Sequence, residues 1–441
     1  MPTAAENASL PPWPTAFRAL VDRRHTLILQ GPMGWFFSDL ATLLTQQGQH
    51  VTKVHFNGGD QLFWRHGGAL RYTGRPEALA DWLRDLMQRQ RIDAMVLFGQ
   101  MRPIHCVARE VAQAMGISVF VFEEGYLRPN YVTVERRGVN ALSRLPRSAS
   151  FYAEPAQPRH TSPQPTTQNI RRTALIAAAY GIAAMAMRPW YPHQRHHRSL
   201  NPVVEPLRWA RSLLRHLRYR IAEQGLHERL CHADLSKRWF LVPLQVQSDS
   251  QVTHHSLFPS IEAFISDVMT SFAAHAPDEV GLVIKHHPMD RAYSDYRHHI
   301  RKEAQRLNLR HRVVYLHDQH LPTLLDHTRG VITINSTVGL QALHHGAPVI
   351  TLGESVYSMP GLVYSGPLAT FWQDPGQVDQ TLYLRFRHHL IAHTQLNASF
   401  YAESPALKTR PTDPHHPFRQ TKRSELSTER APRRIHDVAD A

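Results

Sequence analysis

Residues 117–125 read Ile-Ser-Val-Phe-Val-Phe-Glu-Glu-Gly. The run Ile117–Phe122 is broken only by Ser118, is short, and is rich in β-branched and aromatic side chains. Such a run describes a strand covered on both faces, as in a parallel sheet, whereas a strand with one wet face would alternate. The flanks agree. Ile104, Val107, Ala108, Val111 and Met115 recur at helical spacing and stop at Gly116, and Ala94–Phe98 is an apolar strand before them. Further upstream, Pro76 opens a helix whose apolar face is Leu79, Trp82, Leu83, Leu86 and Met87. Thr26–Gln30 and Val51–Phe56 are two more strands. They are separated by the turn Gly31-Pro-Met-Gly34 and the helical face Phe36, Phe37, Leu40, Leu43 and Leu44. Strands and helices alternating through short loops specify a parallel α/β sheet.

A second series begins at Trp239. Trp239–Leu244, Val280–Lys285, Val313–Leu316, Val331–Ile334 and Val349–Leu352 read as strands, with an amphipathic helix at Ile261, Phe264, Ile265, Val268, Met269 and Phe272. Between the two series the sequence is first Pro- and Ser-rich and then strongly basic. From Gln157 to Leu230 twelve Arg stand against three Glu. Arg208, Arg211, Arg215 and Arg218 recur at helical spacing, either as a solvated face or as a surface for anionic lipid or another protein. The Ala-rich run Ala174–Met187 is too short to span a bilayer and reads as a buried or interdomain helix. Beyond Phe400 the chain is Pro-, His- and charge-rich, so a disordered tail is expected. The expected organisation is a Rossmann-like domain at 1–155, a basic helical connector at 156–236, a second domain at 237–400 and a tail at 401–441.

Composition sets the outer bounds. A chain of 441 residues fits two domains with additions, and 42% hydrophobic residues exclude a wholly disordered chain. Fifty Lys and Arg against 36 Asp and Glu leave +14, which predicts attraction to a polyanion. Two cysteines, Cys106 and Cys231, cannot build a disulfide framework or a Cys-based zinc site, and a reducing cytoplasm is the simplest expectation. The first residues carry no apolar core behind basic ones, so no targeting segment is expected. His-His pairs such as His286–His287 and His388–His389 are scattered without ligand spacing, and no metal site is expected. The charge alone suggests a nucleic-acid-binding protein, but the Arg excess is local and RNP-like aromatic or zinc-finger patterns are missing.

Three segments fall where open α/β sheets hold ligands, at the carboxyl ends of strands. Glu123-Glu124-Gly125 offers two carboxylates suited to a nucleophile or general base, or else a polar turn, and Arg128 follows close by. Lys285-His286-His287-Pro288 fixes a His that can donate to a departing phosphate. Asn335-Ser336-Thr337-Val338-Gly339 brings hydroxyls to a helix start, as an anion site or an ordinary cap.

Taken in order, these segments resemble the motifs of bacterial sialyltransferases and Kdo transferases that use CMP-sugars. More narrowly, the chain is similar to the KpsS-type capsule polysaccharide proteins. The likeness also runs through Gly31–Phe37 (GPMGWFF), His55–Asp60 (HFNGGD), Phe98–His105 (FGQMRPIH) and Phe122–Glu135 (FEEGYLRPNYVTVE). Val242–Val252 (VPLQVQSDSQV) and Val356–Leu362 (VYSMPGL) continue it. It spans roughly residues 25 to 375. It implies a GT-B-like fold, two Rossmann-like domains facing a cleft, the first on the acceptor side and the second binding the CMP-sugar. It implies a retaining β-Kdo transferase moving Kdo from CMP-Kdo to a lysophosphatidylglycerol-type lipid, without a cofactor. The protein would be cytoplasmic and peripheral on the anionic inner-membrane surface. A KpsC-type Kdo transferase and the capsule export machinery would be its partners, and nucleic acid would not.

By motif position the attacking carboxylate falls on Glu124 or Glu123, with Glu124 favoured because it takes the place of Asp in the Glu-Asp-Gly pattern of relatives. His287, with Pro288, Ser336 and Thr337, would hold the CMP phosphate, and Arg128, Arg102 or Lys285 would meet the donor's negative charges. Gln245, Gln247 and Asp249 would touch sugar or acceptor, and Gly34, Asn57, Arg102 and His105 would line the N-terminal side of the cleft. A sialyltransferase or a GT-B epimerase is the nearest alternative.

Overall fold

The protein, seen here as a computed structural model, is described for residues 13–153, 162–166, 169–193, 204–246 and 258–408. Its framework is two sheets. The first holds β1 (His25–Ile28), β2 (His50–His55), β3 (Leu70–Arg71), β4 (Ala94–Phe98), β5 (Ser118–Glu124), β6 (Val132–Arg136) and β12 (Gln395–Leu396). Their order is β12-β6-β5-β4-β1-β2-β3. The second sheet holds β7 (Trp239–Pro243), β8 (Gly281–Lys285), β9 (Val313–Leu316), β10 (Gly330–Thr333) and β11 (Val349–Thr351), ordered β11-β10-β7-β8-β9. All five strands of the second sheet are parallel.

The two lobes repeat one plan. In each, the first strand is central, the next two lie on one side and the following two on the other. The chain therefore reverses direction across the sheet between β1 and β4, and again between β7 and β10. These are topological switch points, where an open parallel sheet splays its loops into a crevice. Both lobes are Rossmann-like, and together they make a GT-B fold within a single compact unit.

Burial follows the strand pleat. On β5, Phe120 and Phe122 pack with Phe36, Phe37 and Leu40 on one face, while Val119 and Val121 pack with Leu83, Leu86 and Val111 on the other. Both faces are covered, as the apolar run at 117–122 requires. The strand runs two residues further than that apolar run and includes both Glu123 and Glu124. Antiparallel β6 then pairs Thr133 with Glu123 and Val132 with Glu124.

The last turn of the fold moves the expected boundary at residue 400. The helix Gln380–His393 carries the chain back to the first lobe, where β12 pairs with β6. Phe400 then lies 4.8 Å from the rings of both Phe36 and Phe98, and Ala406 and Leu407 join the same core. Residues 395–407 thus belong to the first lobe; residues 409–441 lie outside the described part.

The connector contributes helices Ile170–Ala186, Val204–Ala222 and Leu226–Cys231. The first lies on the first lobe, so closely that a Cβ at Gly58 would come within 2.2 Å of the Ala183 carbonyl oxygen. The second is tied to the second lobe by His216 with Asp318 at 2.9 Å and by Glu223 with His317 at 2.5 Å. The four regularly spaced arginines fall within an arc of about 80° but meet two different surroundings. Arg208 pairs with Glu205 and lies over the Tyr293 ring, and Arg215 donates to the carbonyls of Arg291 and Ser294. Arg211 and Arg218 point to solvent. Residues seven apart align on a helix, but the two pairs are rotated from each other by about 60°. Among the described residues no helix is long and apolar enough to cross a membrane.

Candidate functional site

On the first lobe the carboxylate turn is built by close backbone contact. A Cβ at Gly125 would sit 2.1 Å from the Tyr131 carbonyl oxygen, so only glycine lets the chain fold back beside β6. The Tyr126 N–H donates to Thr133 Oγ1, and the Tyr126 hydroxyl donates to Glu135 at 2.6 Å and accepts from the Asn140 N–H. Burial raises the Glu135 pKa to about 7 even though Ser143 and Tyr126 both donate to it. This buried network fixes the turn from behind. Successive strand residues point to opposite faces. Glu123 accepts from the Glu124 N–H at 3.2 Å and reaches over Gly99, in the electrostatic field of Arg102. Glu124, half-buried, leaves by the other face.

Arg102, His105, Asn57 and Gly34 do converge, at the first switch point. Arg102 donates to Gln30 Oε1 at 3.1 Å and to the Gly31 carbonyl at 3.3 Å. Asn57 accepts from the Asp60 N–H and donates to the Tyr180 hydroxyl, which in turn donates to Asp60 at 2.8 Å. His105 is fully buried, shares a hydrogen bond with the Gly99 carbonyl, and burial lowers its pKa to about 3. Lys53, also buried, donates to the Leu29 carbonyl and has its pKa lowered to about 8. Gly34 takes φ +106° and is covered by Ile176 of the connector. These residues build the floor of the crevice more than its lining. Tyr180, Gln30 and Lys53 escape a motif-based reading, and Asp60 stood in the HFNGGD segment without a role. The signal for Tyr180 was present, since it is the sole aromatic residue of the helix Ile170–Ala186.

On the second lobe, Gln245 at the end of β7 and Asn335 at the end of β10 bond each other twice, at 3.0 and 3.2 Å. This amide pair clasps the second switch point, so Gln245 positions the Asn-Ser-Thr loop. Ser336 Oγ accepts from the Val338 N–H, and the Ser336 carbonyl accepts from the Tyr357 hydroxyl. Ser336 and Thr337 are half-buried beside it. Lys285 turns away from the loop and donates to the His317 carbonyl at 2.9 Å. Gln247 and Asp249 lie outside the described residues.

His287 is the most informative side chain. Its Nδ1 accepts from the Met289 N–H at 3.2 Å, so a neutral ring carries its proton on Nε2. Burial, then the charges of Lys285 and Arg128, lower its pKa to about 4. Arg128 belongs to the other lobe and donates to the Gly125 carbonyl. The charge of Arg128, carried by the carboxylate turn of the first lobe, thus reaches the His-Pro segment of the second. Arg147 of the first lobe and Glu354 of the second form a further ion pair at 3.4 Å. Among the described residues no group of three or more His, Cys, Asp or Glu is arranged to hold a metal ion.

A family model described as capsule polysaccharide biosynthesis protein matches residues 93–401. The chain belongs to that family. It is 40% identical over 390 residues to the capsule polysaccharide export protein KpsS of Escherichia coli, covering 88% of this chain and 99% of the relative. It is 38% identical to the capsule polysaccharide modification protein LipB of Neisseria meningitidis serogroup B, covering 87% and 93%. Among solved structures, the KpsC β-Kdo 2,7 transferase of Thermosulfurimonas dismutans aligns with a TM-score of 0.39 at 13% identity, covering 82% of this chain and 89% of that one. The family assignment rests on the sequence matches, and the GT-B fold on the paired strand orders.

Proposed function

We propose that this capsule family member is a glycosyltransferase that moves β-Kdo from CMP-Kdo to a (lyso)phosphatidylglycerol-type lipid, starting the poly-Kdo linker of a capsule. One observation carries the reading. A neutral His287 presents its Nε2–H in a cleft where Arg128 arrives from the lobe that holds the paired carboxylates. That arrangement suits a sugar whose leaving group is a phosphate and whose own carboxylate needs a cation. The 40% identity to a capsule export protein supports the biological setting.

The steps follow from these positions. The Glu124 carboxylate attacks the anomeric carbon, and the bond to the phosphate oxygen breaks with its electron pair going to CMP. His287 Nε2–H, with the Ser336 and Thr337 hydroxyls, stabilises the negative charge that develops there. The acceptor oxygen then attacks the same anomeric carbon, losing its proton to a carboxylate, as the bond from that carbon to the Glu124 oxygen breaks and frees the carboxylate. Two displacements retain the configuration. Glu123, engaged by the Glu124 N–H and near Arg102, positions its neighbour. The proposed reaction needs no metal or cofactor, because fixed hydrogen-bond donors serve the phosphate and Arg128 serves the sugar carboxylate. The enzyme would work at the cytoplasmic side of the inner membrane, with a KpsC-type transferase and the export machinery as partners.

Incubation with a lysophosphatidylglycerol analogue and CMP-Kdo, CMP-sialic acid or UDP-sugars tests this, read by mass spectrometry of the glycolipid. Only CMP-Kdo is expected to give product. Turnover of CMP-sialic acid or a UDP-sugar instead would replace the donor assignment, and salt-dependent RNA binding tighter than vesicle binding would replace the class.

A further inference from the structure

The connector helix Val204–Ala222 is amphipathic with its polar side turned inward. Arg208, Ser212, Arg215, His216 and Tyr219 face the second lobe, bonded or stacked against Tyr293, Arg291, Ser294, Asp318 and His317. The opposite side carries Leu207, Leu213, Leu214, Leu217 and Ile221, all exposed, with Leu214 at 68% and Ile221 at 76%. With 3.6 residues per turn they span an arc of about 120°. That is wider than the narrow seam of a two-helix coiled coil. Exposed Arg211 and Arg218 border the arc on one side, and exposed Arg220 and Trp209 on the other. The helix brings no acid to this side, since Glu205 is paired with Arg208.

We propose that this face docks the protein on an anionic phospholipid bilayer. The leucines and Ile221 enter the boundary between headgroups and acyl chains, and Arg211, Arg218 and Arg220 meet lipid phosphates. A wide apolar arc, cations on both borders and a Trp at the edge are the pattern of a helix lying in a membrane interface. A protein partner would need acidic residues placed along both borders at once. The placement also suits the cleft. The inward side of the helix is bonded to Arg291 and Ser294, just past the His-Pro segment, and to Asp318, just past β9. A bilayer on the outward side would lie about one helix diameter, ~10 Å, from the donor-side loops. The inference rests on the proposed lipid acceptor for its purpose, but not for its geometry.

The test is co-sedimentation of the full chain with phosphatidylcholine vesicles, with and without phosphatidylglycerol. Wild type should bind the phosphatidylglycerol vesicles, less so as salt rises. The triple variant Leu214→Gln, Leu217→Gln, Ile221→Gln should bind about tenfold or more weakly, with an unchanged melting temperature and unchanged transfer to a soluble short-chain acceptor. Arg211→Gln with Arg218→Gln should lose about fivefold per charge. Equal vesicle binding by wild type and triple variant overturns the proposal. So does a wild-type dimer that the triple variant makes monomeric without loss of vesicle binding, which would make the face a contact between copies. Vesicle binding by a wild type that transfers no sugar overturns the transferase reading alone, whereas transfer to a soluble acceptor without vesicle binding overturns the docking face alone.

Discussion

In the proposed reaction His287 acts as a neutral donor, because its surroundings make the charged ring expensive. With a pKa of about 4, it keeps the Nε2 proton throughout the neutral range. Between pH 6 and 8 turnover should therefore show no step assignable to this ring, and a step near 6.5 that vanishes in His287→Ala would contradict the assignment. The same variant should lower turnover about a hundredfold or more while the melting temperature holds, as for loss of one preorganised donor. For the carboxylates, Glu124→Gln should abolish transfer while CMP-Kdo still binds, and Glu123→Gln should be milder. The reverse order would exchange their roles, and near-native rates in both would remove catalysis from the pair. Much of this constellation was legible as residue types at strand ends. Side-chain direction was not. Lys285 and Gln245 looked equally fit to touch substrate, yet their partners, His317 and Asn335, stand far away in sequence and pull both into the framework.

At the level of elements, long apolar strands declared themselves and short ones did not. β4, β5, β7 and β8 each bury a run that no helical pattern explains. β12 has two residues and exists because β6 offers an open edge, a condition that local sequence cannot express. β6 itself follows from the turn at Gly125. Tyr126→Phe should test that turn, since it leaves Glu135 with Ser143 as its remaining donor and takes the acceptor from the Asn140 N–H, and should cost about 1–3 kcal/mol in denaturant unfolding. The connector offers a second measurement. Gly58→Ala places a methyl group against the Ala183 carbonyl and the Met187 side chain, so the helix Ile170–Ala186 must shift. A loss of about 1–3 kcal/mol is expected, and a neutral result would mean that the helix is not held as closely as it lies.

Across the whole molecule, buried histidines set an acid limit. Burial lowers His55 and His287 to about 4, and His105 and His286 to about 3, against about 6.5 unfolded. The unfolded chain thus binds more protons below pH 6.5. The stability these neutral rings confer is complete above 6.5 and is lost progressively as the pH falls toward 3. Thermal melting should drop steadily from pH 6.5 to 4, and a flat curve would mean that these rings are not buried as described. The lobe plan could be read from two strand series, but the chain's return to the first lobe could not. That return has a mechanical consequence. Covalent chain crosses between the lobes once through the connector and again just before β12, so the lobes are fastened at two places. Two fastenings permit a door-like swing about the line joining them, while pulling straight apart would strain both. Whatever enters or leaves the cleft is therefore admitted by a change of angle.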